Sequence, residues 1–132
     1  QKTDALSFRY FNLDFKNKRL VKSDLKMFNL IILCADNNKI RRFAWENWKE
    51  NNIPFIDSRA NGRAIGIFSN ETENYLSTIS DDDKPTSCQN PFQLANKEIE
   101  YGNVIIAAIL AQAILNFTRY KNRLPSDFTT NL

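Results

Sequence analysis

The chain has 132 residues, 42% of them apolar, with 18 basic and 15 acidic side chains for a net charge of +3. That length and apolar share fit one domain with a real core, and the spread of charge leaves no basic stripe to track a phosphate backbone, which argues against nucleic acid. The chain contains no histidine, so Ser-His-Asp triads, Cys-His dyads and His-based metal sites are excluded.

Residues 6–15, LSFRYFNLDF, alternate apolar and polar side chains with aromatics at Phe8, Tyr10 and Phe15, which predicts a half-buried strand. A short helix or turn over residues 22–27 leads to FNLIILCA, a continuous apolar, β-branched run expected to be a strand covered on both faces in a parallel sheet. From Lys39 to Glu50 the period changes: Ile40, Phe43, Ala44 and Trp48 share one helical face, while Arg41, Arg42, Glu46 and Lys49 point elsewhere. Asp36 or Asn37 is the expected N-cap. NNIPFIDSRA then restarts the chain as a strand, with Pro54 near its first residue. Strand, helix and strand in about 30 residues make a βαβ unit.

RAIGIFS, residues 63–69, predicts a further strand reached through the Asn61-Gly62 turn. Residues 70–84, ending in SDDDK, read as a surface loop whose acidic run, Asp81 to Asp83, is solvated. A long helix is expected from about Asn96–Glu98 to Tyr120. Its apolar stretch, residues 104–117, is interrupted by Gln112 and Asn116 and falls short of the roughly 20 residues a membrane-spanning helix needs. With hardly any polar face at its middle, it should lie between the sheet and another surface, such as a second subunit. The tail from Lys121, with Pro125 as a stop, is expected to be loose, which gives one domain over residues 1–122 and a polar tail over 123–132.

In open parallel sheets, ligands bind outside the carboxyl ends of the strands. Asp36, Asn37, Asp57 and Arg59 fall there. A carboxylate in that place suits a Mg²⁺ that accompanies nucleotide phosphates, and Arg41, one turn later, suits a phosphate or carboxylate. The plainer readings are an N-cap role for Asp36 and Asn37, a solvated charge for Arg41, and a mutual surface pair for Asp57 and Arg59. Cys88, in the polar stretch KPTSCQNPF near Lys84, is a candidate thiolate nucleophile, or else an inert loop cysteine. Cys34, inside an apolar run, is expected to be core. The unlike settings of the two cysteines do not suggest a disulfide framework and point to a reducing, cytoplasmic compartment. The sequons at Asn70 and Asn116 then occur by chance.

LIILCADNNKIRRFAWENWKENNIPFID resembles the segment of the ThiF/MoeB/ubiquitin-activating superfamily in which an apolar strand ends in Asp-Asn, a helix with an Arg follows, and a strand begins with Ile-Pro. TSCQNPFQLANKEIEYGNVIIAAILAQAILNF is similar to that family's cysteine, spacer and long apolar helix. The resemblance implies a Rossmann-like α/β sheet, the second half of a ThiF-type adenylation domain, with a long buried apolar C-terminal helix. It also implies ATP-dependent adenylation of the C-terminal carboxylate of a ubiquitin-like or sulfur-carrier protein. Asp36 would match the acid beside Mg²⁺ and the phosphates, with Asn37 adjoining it. Arg41 would match the basic residue near the nucleotide, and Cys88 the thioester cysteine.

The family's Gly-rich phosphate loop has no counterpart, because the three glycines are Gly62, Gly66 and Gly102. Its Cys-x-x-Cys pairs are missing too, so no structural zinc is expected. ATP and Mg would therefore bind only with the nucleotide-gripping half supplied from upstream or by a partner chain, in a homodimer or a hetero-complex. The competing reading is a catalytically inactive ThiF-like interaction and dimerisation module; a dehydrogenase fragment is less attractive without an acid/base histidine.

Overall fold

The computed structural model describes residues 28–35, 37–81, 92, 95, 96, 101–120, 124, 125 and 127–132. The expected strand at 6–15, the turn at 22–27, Asp36, Asp82, Asp83, Lys84 and Cys88 lie outside the described residues. Strand β1 (Ile31–Leu33), helix α1 (Asn38–Asn51), strands β2 (Phe55–Asn61) and β3 (Ala64–Ser69), helix α2 (Gly102–Arg119) and strand β4 (Phe128–Asn131) follow in that order. Between β3 and α2 lies a short 3-10 turn, Tyr75–Thr78. The class is α/β: a four-stranded mixed sheet, ordered β1-β2-β3-β4, with α1 packed against β1 and β2 and α2 against β2 and β3.

The βαβ unit forms as its pattern predicts. β1 and β2 are parallel, with Ile31 beside Phe55 and Leu33 beside Asp57. Asn37 caps α1, its side chain accepting the Lys39 N–H at 2.8 Å. Asn52, in the left-handed region at φ 55°, closes the helix by donating its N–H to the Trp48 carbonyl. β2 and β3 form an antiparallel hairpin whose last pair is Asn61 with Ala64. Gly62 supplies the positive φ, 60°, at the first central position of the turn.

Alternation along β2 divides the core in two. Phe55 joins Leu33, Ala44, Tyr75 and Ile79 beneath α1, while Ile56 joins Ile65, Ile67, Ile106, Leu110 and Ala113 beneath α2. On the α1 side, Trp45 stacks on Tyr75 with ring centroids 5.3 Å apart, and Phe55 meets the Tyr75 ring edge-on at 4.9 Å.

Several expectations are corrected. β1 is an edge strand among the described residues and Ile32 is 36% exposed, so it is not covered on both faces. The sheet is not parallel throughout, because a two-residue hairpin can only return the chain antiparallel. The tail is not loose: Phe128 to Asn131 pair antiparallel with β3, satisfying backbone groups that would otherwise form a free edge. The stretch after β3 is not wholly surface, since Tyr75 and Ile79 are buried in it and Asn70 accepts the Phe55 N–H through Oδ1 at 3.0 Å. Helix α2 starts at Gly102, and it is buried along one stripe only: Ile106, Leu110, Ala113 and Phe117 pack inward, while Tyr101, Val104 and Ile105 are exposed. By length and composition α2 could cross a membrane; one stripe of it packs on β2 and β3.

Candidate functional site

Asp57 stands on β2, facing α1, and is fully buried. A carboxylate removed from water must be paired and hydrogen-bonded, and four contacts meet that need. Arg41 Nε donates to Oδ1 at 3.2 Å. Arg59 approaches Oδ2 with Nε at 2.8 Å and Nη2 at 2.7 Å. The Tyr75 hydroxyl donates to the same oxygen at 2.9 Å.

The two arginines are themselves held. Arg41 donates from Nη1 to Asn38 Oδ1 and from Nη2 to the Ala35 carbonyl, which ties the first turn of α1 to the end of β1. Arg59 donates from Nη1 to the Thr78 carbonyl at 2.6 Å and from Nη2 to Thr78 Oγ1 at 3.0 Å. Its guanidinium lies over the Phe68 ring, 4.2 Å from the centroid. Gly66, opposite Arg59 across the hairpin, makes room for that ring: a Cβ there would stand 2.7 Å from a Phe68 ring carbon. Burial pushes the Tyr75 phenol well above its ordinary range, and the Asp57 carboxylate adds to the effect. Tyr75 is therefore neutral at physiological pH and acts as a donor.

Beside this cluster opens a cleft of about 570 Å³, at the end of the sheet where β1 and β2 finish and β3 begins. Its lining includes Cys34, Ala35, Asn38, Arg41, Ser58, Arg59, Phe68, Thr78 and Ser80, with Thr129 and Thr130 of β4 on the far side. Among the described residues that line it none is acidic, because Asp57 lies behind the two arginines. Comparison of the chain with family models, curated proteins and solved structures found no match.

Of the residues singled out from sequence, Asn37 is the helix cap and Arg41 lines the cleft; Asp36 and Cys88 lie outside the described residues. Arg41 is not a solvated charge: it is 6% exposed, because the face of α1 that meets the sheet carries Arg41 and Asn47 along with Ala44. Asp57 and Arg59 do pair, but in the interior rather than on the surface. Cys34 is exposed at the rim of the cleft, its thiol 3.4 Å from Ser58 Oγ, since it follows the last residue of β1 instead of lying within the strand. The run beginning at Asp81 is held at its first residue by Arg42, at 3.1 Å, on the open surface.

Sequence reasoning passed over Tyr75 and Thr78. Tyr75 carried a signal: with Ile79, four residues on, it has the spacing of one buried turn in a stretch whose other apolar residue, Leu76, is exposed. Among the described residues no three His, Cys, Asp or Glu side chains gather to hold a metal ion. Asp57 takes three donors on Oδ2 and one on Oδ1 and stands against two guanidiniums, whose positive charge opposes a cation there. The described lining thus suits an anion.

Proposed function

We propose that this chain is part of an ATP-dependent adenylyltransferase of the ThiF/MoeB/ubiquitin-activating type. It acts on the C-terminal carboxylate of a ubiquitin-like or sulfur-carrier protein in a cytoplasmic setting. One observation supports this above others: the cleft where the parallel strands β1 and β2 end, at the start of α1, carries two guanidiniums and no acidic side chain among the described residues that line it. That is the place and the charge a nucleotide phosphate requires.

In this reading the nucleotide phosphates enter beside Arg41 and Asn37. Asp36, next to Ala35 in sequence, would hold Mg²⁺, which when bound would offset phosphate charge. A carboxylate oxygen of the carrier attacks the α-phosphorus, pyrophosphate leaves, and an acyl-adenylate forms. The Cys88 thiolate then attacks the acyl carbon, expelling AMP and leaving a thioester; an acyl-adenylate is activated enough that no histidine is needed. The chain brings no Gly-rich loop, so a further segment or a partner chain completes the grip on ATP. The test is ATP–pyrophosphate exchange by the full-length protein with carrier proteins. Asp36→Ala abolishes exchange, and Cys88→Ala keeps exchange while losing the thioester. Exchange unchanged in Asp36→Ala overturns the proposal.

A second reading has its own observation. Tyr101, just before α2, and Val104 and Ile105 in its first turn are exposed, as expected of a catalytically inactive module that pairs through this helix. It requires a stable dimer that binds no ATP even at full length, and equilibrium dialysis of the full-length protein with ATP separates the two.

A further inference from the structure

Burying charge is tolerated when charges cancel, and among the described residues around Asp57 they do not. One carboxylate faces two guanidiniums, with side-chain exposures of 0% for Asp57, 7% for Arg41 and 21% for Arg59. The Tyr75 phenol could cancel the excess only as a phenolate, and burial beside Asp57 keeps it protonated. Among the described residues, the cluster therefore holds one uncompensated positive charge in a poorly solvated place. An excess of this kind is costly unless an anion completes it.

The geometry says which arginine meets that anion. Arg41 is the more deeply buried, fixed at three points by Asp57, Asn38 and Ala35. Arg59 is clamped between Asp57 and Thr78 and laid on the Phe68 ring, yet its side chain keeps an open edge on the cleft. A guanidinium has five N–H donors. Two of its nitrogens on Arg59 serve Thr78, Nε and Nη2 serve Asp57, and one Nη1 hydrogen is left over. Immobilised in this way, the side chain loses little entropy on binding. The hydroxyls of Ser58 and Thr129 lie in the same lining.

We propose that Arg59 is the anion-recognising residue of the cleft, contacting a phosphate group of the bound ligand, and that Asp57 and Thr78 are the residues that position it. The assignment rests on this cleft being the ligand site of the proposed function, but not on adenylation as the reaction.

The test is titration calorimetry of the whole chain with inorganic pyrophosphate at low ionic strength. The parent protein binds; Arg59→Ala weakens binding about ten-fold or more, and Arg59→Lys, which keeps the charge beside Asp57 but loses the fork, weakens it several-fold. Arg63→Ala, at the hairpin turn and outside the cleft lining, leaves affinity unchanged. Thermal melts of each variant without ligand check folding, and Arg59→Lys carries the test should Arg59→Ala unfold. Equal affinity of the parent and a folded Arg59→Lys overturns the proposal, as does absence of binding to the parent. Pyrophosphate binding that depends on Arg59 in a protein without ATP–pyrophosphate exchange would sink adenylation and leave this assignment standing.

Discussion

Arg41, in the first turn of α1, donates to Asp57 on β2 at 3.2 Å across 16 residues of sequence, with both side chains almost wholly out of water. The contact welds the helix to the parallel strand pair at the end where the cleft opens. It also makes Asp57 the common partner of Arg41, Arg59 and Tyr75.

Removing that partner should be severe. Asp57→Ala strands two guanidiniums in the interior, and breaking a buried pair by deleting one member costs about 3–5 kcal/mol. Urea denaturation should show the midpoint falling accordingly. Arg41→Met combined with Asp57→Ala should cost less than the two single changes added together, because each residue is a burden chiefly when the other is missing.

The phenol of Tyr75 gives the fold an alkaline limit. Its folded pKa is raised, so the stabilisation is whole below the unfolded value of about 10 and is lost as pH climbs above it and the unfolded chain sheds its proton first. The loss approaches about 1.4 kcal/mol per pH unit. Tyr75→Phe should be less stable at neutral pH by about 1–2 kcal/mol, for Asp57 loses a donor. The gap should close as pH rises beyond about 10. Urea melts of both proteins at neutral and alkaline pH measure it, and a constant gap would contradict the assignment.

Gly102 opens α2 against the hairpin turn. Replacing glycine by alanine inside a helix normally stabilises by up to about 1 kcal/mol. Here the added Cβ would collide with the Gly62 carbonyl oxygen and crowd Ile65, and the colliding atom is backbone. Gly102→Ala should therefore destabilise, by roughly 1–3 kcal/mol, with a lower melting temperature. A raised one would show that α2 does not approach the turn so closely.

The exposed apolar residues at the start of α2 separate packing from association. Val104 is 59% exposed, so Val104→Glu should change stability by less than about 0.5 kcal/mol. Under the dimerisation reading it should instead shift the sedimentation coefficient from dimer to monomer. Ile106→Ala, on the buried stripe, should cost about 2–5 kcal/mol.

The sequence alone determined the parts that depend on near neighbours. The apolar run, a cap at Asp36 or Asn37 and the 3.6-residue period define β1, α1 and β2, and Asn61-Gly62 defines the hairpin. It also placed Arg41 and Arg59 near the carboxyl ends of the parallel strands, where the cleft lies. Only the tertiary structure decided that Asp57 is interior, because its partners come from α1, from β2 itself and from the 3-10 turn. Burial of Arg41 on what reads as a polar helix face, and recruitment of residues 128–131 as an edge strand, are settled in the same way. A lone charge is stable in water and a paired one can be stable out of it, and pairing across 16 or 18 residues is a fact of the fold rather than of any local window.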